Sequence, residues 1–211
     1  MNFEGRYRLM MKVAVKRRAE LETIVKDFCL QNKLNMKEDL FKELNKIGFL
    51  VYGVKFRKQL SGMILVNEYA DKIEDFESNK LIFYNDRFDV YNVRFVVLHE
   101  LAHYIYDKYE NKNQKLIIAM RDHTVVYSNN IDEQEKDYMA AAMLIPLVEL
   151  EERVREYEEN KNTNGQRVRL SCDELKNDDY FVQSIQREYR VDATLVSRRI
   201  EELFDEKGVA Y

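Results

Sequence analysis

The sequence contains little proline, glycine or cysteine, and no tryptophan. One proline and six glycines in 211 residues are too few for a collagen-like, low-complexity or turn-rich all-β chain. The two cysteines stand apart without CxxC spacing, so we expect free thiols and no disulfide framework. No uncharged run approaches the length of a membrane span, and charged residues interrupt the first stretch of the chain. These absences predict a soluble, largely helical protein of the cytoplasm that does not bind membranes.

Apolar residues make up 45% of the chain and aromatic residues 12%, which is enough to bury a substantial core. The net charge of −4 gives no overall attraction to nucleic acid or to an anionic membrane. Direct binding of nucleic acid is therefore not expected from composition.

The apolar residues follow two different periods along the chain. Helical spacing predicts helices over about 7–31, 36–47, 90–108 and 132–144, an acidic helix from Pro146 to about 159, and two tail helices over 178–189 and 192–205. Short runs rich in Val, Ile, Phe and Tyr predict strands over 49–56, 62–69 and 80–84, the first two joined by a short loop around 58–61. Between the central helices lie an apolar patch at 116–120 and a possible strand at 124–127.

These elements predict an α+β fold that is mostly helical, with a small three-stranded sheet packed on the helix over 90–108. We divide the chain into a larger domain over 1–160, which contains the sheet and the helix over 90–108, and a helical tail over 161–211 that is similar to a helix-turn-helix.

The strongest chemical signal is His-Glu-Leu-Ala-His at positions 99–103, within the most apolar helix. His99 and His103 are four residues apart, so both imidazoles lie on one face and can reach one metal ion. Glu100 is rotated by roughly 100 degrees and lies beside the metal, where it can carry a proton. This is the arrangement of HExxH zinc hydrolases, in which a third protein ligand leaves one position open for water.

The residues alone leave the third ligand open among five side chains. The candidates are Asp132, Glu133, Glu135, Asp137 and His123. Gluzincin peptidases carry an acidic ligand with a second carboxylate one turn later, and Glu133 with Asp137 has that spacing. In this interpretation Glu133 binds zinc, while Asp137 accepts a hydrogen bond from the remote nitrogen of a ligating histidine.

A donor for the developing oxyanion is also required. His123 and Tyr138 are the main candidates, and Tyr106 and Tyr127 are alternatives that the sequence does not separate from them.

Two segments resemble the ImmA/IrrE-type zinc metallopeptidases. Residues 93–103 are similar to the RFTLAHELGH signature of that family, and residues 132–146 to its ExxANxFAxxLLMP helix. Alignment on Pro146 places Glu133 at the glutamate ligand of the family and Asp137 at its Asn/Asp position. Lys136 and Met139 depart from the usual Ala and Phe.

The resemblance implies a gluzincin-like domain, a zinc cofactor, and cleavage of a helix-turn-helix repressor in stress response or mobile-element induction. Two alternatives stay open. In the first, the chain is a non-cleaving module that binds a regulator, and the acidic helix over 147–159 is the docking surface. In the second, the tail binds DNA, with Arg198 and Arg199 facing phosphates, although the acidic residues around them oppose this.

Overall fold

The computed structural model describes residues 13–56, 60–110, 112, 114–122, 131–161 and 168–206. Within these ranges the chain forms eight helices and four strands. The helices are α1 (Val15–Gln31), α2 (Leu40–Asn45), α3 (Val90–Tyr109), α4 (Ile131–Leu144), α5 (Leu147–Lys161), α6 (Cys172–Lys176), α7 (Asp179–Tyr189) and α8 (Ala193–Glu206). The strands are β1 (Phe49–Val54), β2 (Leu60–Asn67), β3 (Lys80–Asn85) and β4 (Leu116–Asp122). The mostly helical α+β class is confirmed.

The sheet has four strands in the order β1-β3-β2-β4, so the predicted three-stranded sheet is wrong in its count. The additional strand, β4, covers the apolar patch at 116–120 and runs antiparallel to β2. Its side chains alternate, with Ile117 buried and Ile118 exposed, as expected for a strand with one face on the core. The possible strand at 124–127 lies outside the described residues.

The first two strands are consecutive in the chain but do not pair with each other. β3 lies between them, parallel to β1 and antiparallel to β2. The tight connection predicted around 58–61 therefore does not make a two-stranded hairpin, because β2 is displaced by the width of one strand. This order puts β2 in the interior of the sheet, where it packs against α3.

The central helix α3 begins where its sequence predicts. Asp89 is the N-cap, and its side chain accepts hydrogen bonds from the backbone N–H groups of Tyr91 and Asn92, both at 3.0 Å. The helix runs for 20 residues and buries nearly every side chain from Val93 to Ala102. Such a helix must lie between two layers, and α3 packs against the sheet on one side and α4 on the other.

The second motif helix, α4, packs closely against α3. Ala140, Ala141 and Ala142 are all buried, and their small side chains let the two helix backbones approach. Leu144 ends the helix, and α5 begins at Leu147, directly after Pro146.

The tail folds back onto this core through what we name the arginine cluster, formed by Arg198, Arg199, Glu22 and Glu202. Arg199 is 0% exposed. Its guanidinium donates to the backbone oxygen of Ile145 at 2.9 Å, to Glu202 at 2.6 Å, and to Glu22. Arg198 donates to Glu202 at 2.7 Å.

The hypothesis that Arg198 and Arg199 face DNA phosphates is therefore wrong. Both guanidiniums are buried against carboxylates, since the apolar face of α8 that carries them packs inward. The short helix α6, which begins with a capping box of Ser171 and Glu174, was not expected from the sequence. The domain division at residue 160 stays a prediction.

Among the helices described, none combines the length and the apolar content that a membrane crossing requires.

Candidate metal centre

The two motif histidines project from one face of α3. Their ring centroids are 5.1 Å apart, and the rings stand at 77° to each other. His99 is buried at 1% exposure, while 13% of the His103 side chain is accessible. The four-residue spacing puts both imidazoles on one face of the helix. Of the two, His99 is enclosed by the protein and His103 is partly accessible to solvent.

A carboxylate from α4 completes this pair. Glu133 places Oε2 at 3.2 Å from Nε2 of His99 and Oε1 at 3.8 Å from Nε2 of His103. One ligand atom from each of the three residues lies within 4.8 Å of the other two, so a single ion can contact all three. We name His99, His103 and Glu133 the metal group.

The orientation of His99 is set by Asp137, one turn after Glu133 on α4. Oδ1 of Asp137 lies 2.7 Å from Nδ1 of His99. A carboxylate accepts hydrogen bonds, so Nδ1 carries the proton and donates it to Asp137. The lone pair of His99 is then on Nε2, which is the nitrogen that faces Glu133.

The electrostatics keep Glu133 ionised. Burial alone would raise the pKa of its carboxyl group, but when the imidazoles are protonated, the hydrogen bond and charge of His99, together with the charge of His103, lower that pKa to about 2. A carboxylate that is charged at neutral pH is the form that binds a metal ion.

Comparison with known protein families gives a direct match. The model of the IrrE N-terminal-like domain, a peptidase family, matches residues 53–201 of this chain. The chain belongs to this peptidase family. The match includes α3, α4 and strands β2 to β4, and it extends past residue 160 into α8. No curated protein matches the chain significantly.

Membership identifies the chain as a metallopeptidase and confirms the resemblance found in its two motifs. The donor set fits that class, because two imidazole nitrogens and one carboxylate oxygen are the ligands of many catalytic zinc sites. Zinc suits this set better than calcium or magnesium, which prefer oxygen ligands.

Two of the rival ligands lie elsewhere on α4. Glu135 points to α1, where both of its oxygens accept hydrogen bonds from Arg17 at 2.9 Å. Asp132 is exposed in the first turn, and neither residue belongs to the metal group. His123 lies outside the described residues.

The tyrosines proposed as oxyanion donors are already engaged. The hydroxyl of Tyr138 donates to Glu22 at 3.2 Å, and the ring lies beneath the guanidinium of Arg199 with 5.3 Å to its centroid. Tyr106 bonds to Glu135, and burial raises the pKa of its hydroxyl to about 12. The hydroxyl of Tyr138 thus belongs to the surroundings of the arginine cluster in this structure, and the identity of the oxyanion donor stays open. Tyr127 lies outside the described residues.

Glu100 is 0% exposed, and its side chain lies on the side of α3 that faces β2. The residue that meets it from the sheet is Gly62, where a Cβ would come within 2.7 Å of the Glu100 carboxylate. Sequence reasoning did not select Gly62. The available signal was a glycine within a strand, which often marks the close approach of another group.

Proposed function

We propose that this chain is a zinc-dependent endopeptidase of the cytoplasm that cuts a helix-turn-helix transcriptional repressor. The observation that carries the proposal is the metal group, in which two helices bring His99, His103 and Glu133 within reach of one ion. The family match supports peptide-bond hydrolysis. The likeness of both motifs to repressor-cleaving relatives supports the substrate class.

In this proposal His99, His103 and Glu133 hold the zinc ion. A zinc ion held there would supply Lewis acidity for the scissile carbonyl and for the attacking water. Asp137 holds His99 in the tautomer that binds through Nε2. Burial of His99 and Glu100 excludes bulk water from one side of the site.

Glu100 is the proton carrier. Its carboxylate takes a proton from the attacking water and then gives that proton to the leaving amine nitrogen, so it acts first as a base and then as an acid. The position beside His99 on α3 gives it access to the same space without making it a ligand. The burial of Glu100 against β2 restrains its side chain in that position.

The test is cleavage of a purified helix-turn-helix repressor by the zinc-loaded protein, with fragments sequenced by mass spectrometry. A peptide library prepared from a bacterial proteome serves as a second substrate. The variant Glu100→Gln is expected to keep zinc and to lose roughly 10²–10⁴-fold in rate. Glu152→Gln, at an exposed position on α5, is the matched control and should cleave like the wild type.

Undiminished cleavage by Glu100→Gln would refute the role of Glu100. If the wild type binds the repressor tightly but produces no fragments from either substrate, the alternative function of a non-cleaving regulator-binding module replaces the peptidase. Cleavage that survives complete removal of zinc by a chelator would refute the metal assignment.

A further inference from the structure

Gly62 is the point at which the sheet comes closest to the proton carrier. A Cβ built on Gly62 would lie 2.6 Å from Cγ1 of Val96 and 2.7 Å from Oε1 of Glu100. A real Cβ atom essentially never lies so close to another heavy atom, so a side chain at position 62 would force Val96, Glu100 or the backbone of β2 to shift. The backbone of β2 therefore forms one wall around the Glu100 carboxylate.

The strand is irregular at the same place. Leu60 lies opposite Asp122, and Gly62 lies opposite Arg121. Ser61 is therefore one extra residue in β2 relative to β4. Such a β-bulge bends its strand and redirects the residues beside it. Ser61, the extra residue, is fully buried.

A side chain from β3 anchors the bulge. Nδ2 of Asn85 donates a hydrogen bond of 3.0 Å to the backbone oxygen of Leu60, the residue directly before the bulge. Asn85 is itself buried, and its Oδ1 accepts a hydrogen bond from the backbone of Arg87. The end of β3 thus ties down the residue that precedes the bulge, through a side chain that is itself held in place.

The opposite wall is also stiff. Val96 and Glu100 are four residues apart, so they lie one above the other on the same face of α3. Val96 is 2% exposed, and a β-branched side chain in a helix has one strongly preferred rotamer. The Glu100 carboxylate therefore occupies a space that is bounded by a fixed valine and by bare backbone.

We propose that Gly62 is a positioning residue that fixes the carboxylate of Glu100, and that the bulge at Ser61, anchored by Asn85, holds Gly62 there. The inference rests on the proposed function in one respect, which is that Glu100 carries the proton. Proton transfer requires heavy atoms within about 2.6–3.2 Å of each other. A side chain at position 62 would displace the carboxylate from that range.

The experiment compares crystal structures and kinetics of zinc-loaded wild type and Gly62→Ala. In Gly62→Ala we expect the carboxylate of Glu100 to move by about 1 Å relative to the imidazoles. A displacement of that size should lower kcat roughly 100-fold. KM and zinc content should match the wild type, because the three atoms nearest a Cβ at position 62 belong to Val96 and Glu100 and not to the metal group. The kinetic probe is the library peptide that the wild type cleaves fastest.

Two controls separate positioning from general disruption. Gly53→Ala places a methyl group in β1 against the hydroxyl of Tyr84, at 2.9 Å, and should leave kcat unchanged. The double variant Gly62→Ala with Val96→Ala removes the valine conflict and keeps the conflict with Glu100, so its kcat should stay low. If Gly62→Ala does not fold, Asn85→Ala replaces it and should shift Glu100 by a smaller distance.

Two results would overturn the inference. One is a Gly62→Ala structure, or an Asn85→Ala structure in its place, in which Glu100 keeps its position and kcat is unchanged. The other is full recovery of kcat in the double variant, which would assign Gly62 to packing against Val96. A wild type that cleaves no peptide would count against the proposed function, and the crystallographic position of Glu100 would still decide the role of Gly62.

Discussion

The metal group and the arginine cluster both bury charge, but they neutralise it differently. In the arginine cluster, Arg198 and Arg199 face Glu22 and Glu202, so cations and anions from the chain itself are equal in number. In the metal group, Glu133 contacts two imidazoles, which carry charge only when they are protonated.

The difference indicates what each region needs. A buried carboxylate without a permanent cation is costly, whereas a paired and hydrogen-bonded set is tolerated. The arginine cluster is complete within the folded chain. In the proposed function, a zinc ion supplies the balancing charge of the metal group. We therefore expect variants of the metal group to affect zinc binding and activity, and variants of the arginine cluster to affect the stability of the fold.

The largest effect is expected for Glu133→Ala. Removal of the carboxylate leaves two imidazole ligands, so zinc binding and cleavage should fall below detection. Zinc content by atomic absorption and cleavage of the best library peptide measure this. The unfolding free energy measured in the presence of a chelator should change little, because Glu133 is half-buried at the end of a helix.

The adjacent acid provides the matched control. Asp132 lies in the same first turn of α4 and is exposed. The variant Asp132→Ala should therefore retain zinc and activity. Loss of zinc in Asp132→Ala, with retention in Glu133→Ala, would reverse the ligand assignment and bring a former rival into the site.

Arg199→Met is expected to have the next largest effect. It leaves Glu22 and Glu202 without their shared cation, and breaking a buried pair in this way costs about 3–5 kcal/mol. Urea unfolding of the zinc-free protein measures the cost. At a temperature where the variant is folded, its zinc content should equal that of the wild type.

Arg155→Met is the control for that experiment. Arg155 pairs with Glu151 at 3.8 Å on the exposed side of α5, where such pairs contribute less than about 1 kcal/mol. Equal losses in the two variants would contradict the structural importance given to the arginine cluster.

Asp137→Asn should have an intermediate effect on the metal group. An amide in place of the carboxylate weakens the hydrogen bond that orients His99, and such changes reduce metal affinity or activity by roughly 10–100-fold. Competition with a chromogenic zinc chelator gives the affinity. A variant with wild-type affinity and wild-type kcat would show that His99 keeps its tautomer without Asp137.

The smallest effect belongs to the tail and depends on pH. Hydrogen bonds from Lys161 and then Tyr157 lower the pKa of Asp178 to about 2, from an ordinary value of 3.8. A lowered pKa stabilises the folded state above the ordinary value, and that stabilisation is lost as the pH falls towards 2.

Asp178→Asn, which retains the capacity to cap α7, tests this dependence. The wild type should be more stable than the variant by less than about 1 kcal/mol near neutral pH, because the pair is close to the surface. Urea unfolding at several pH values should show the difference shrinking below about pH 4. A difference that is constant with pH would contradict the ion-pair explanation.

The motif helices were predictable from sequence because their signals are local. The four-residue spacing of His99 and His103 and the apolar content of α3 both lie within a few turns of helix. Glu133 was selected by its one-turn relation to Asp137, and the structure brings it to the histidines. The proton-carrying role of Glu100 stays a prediction.

The order of the strands and the arginine cluster were not predictable in the same way. β4 has three exposed apolar side chains, Leu116, Ile118 and Met120, so its sequence does not show the polar alternation of a typical edge strand. Arginines are usually exposed, and nothing near Arg199 indicates that its partner Glu22 is 177 positions away. These features depend on pairings between distant segments, which local patterns do not encode.

The hydrogen bond between Arg199 and Ile145, the residue directly after α4, also bears on the order in which parts of the chain can fold during synthesis. Residue 199 contacts Ile145, 54 positions earlier, and Glu22, 177 positions earlier. During translation the histidines and Glu133 leave the ribosome well before α8 does, and the nascent chain lacks the side chain that ties these segments together. The contacts that tie α1, the end of α4 and α8 together therefore form only after α8 has been released, so this part of the fold is completed last.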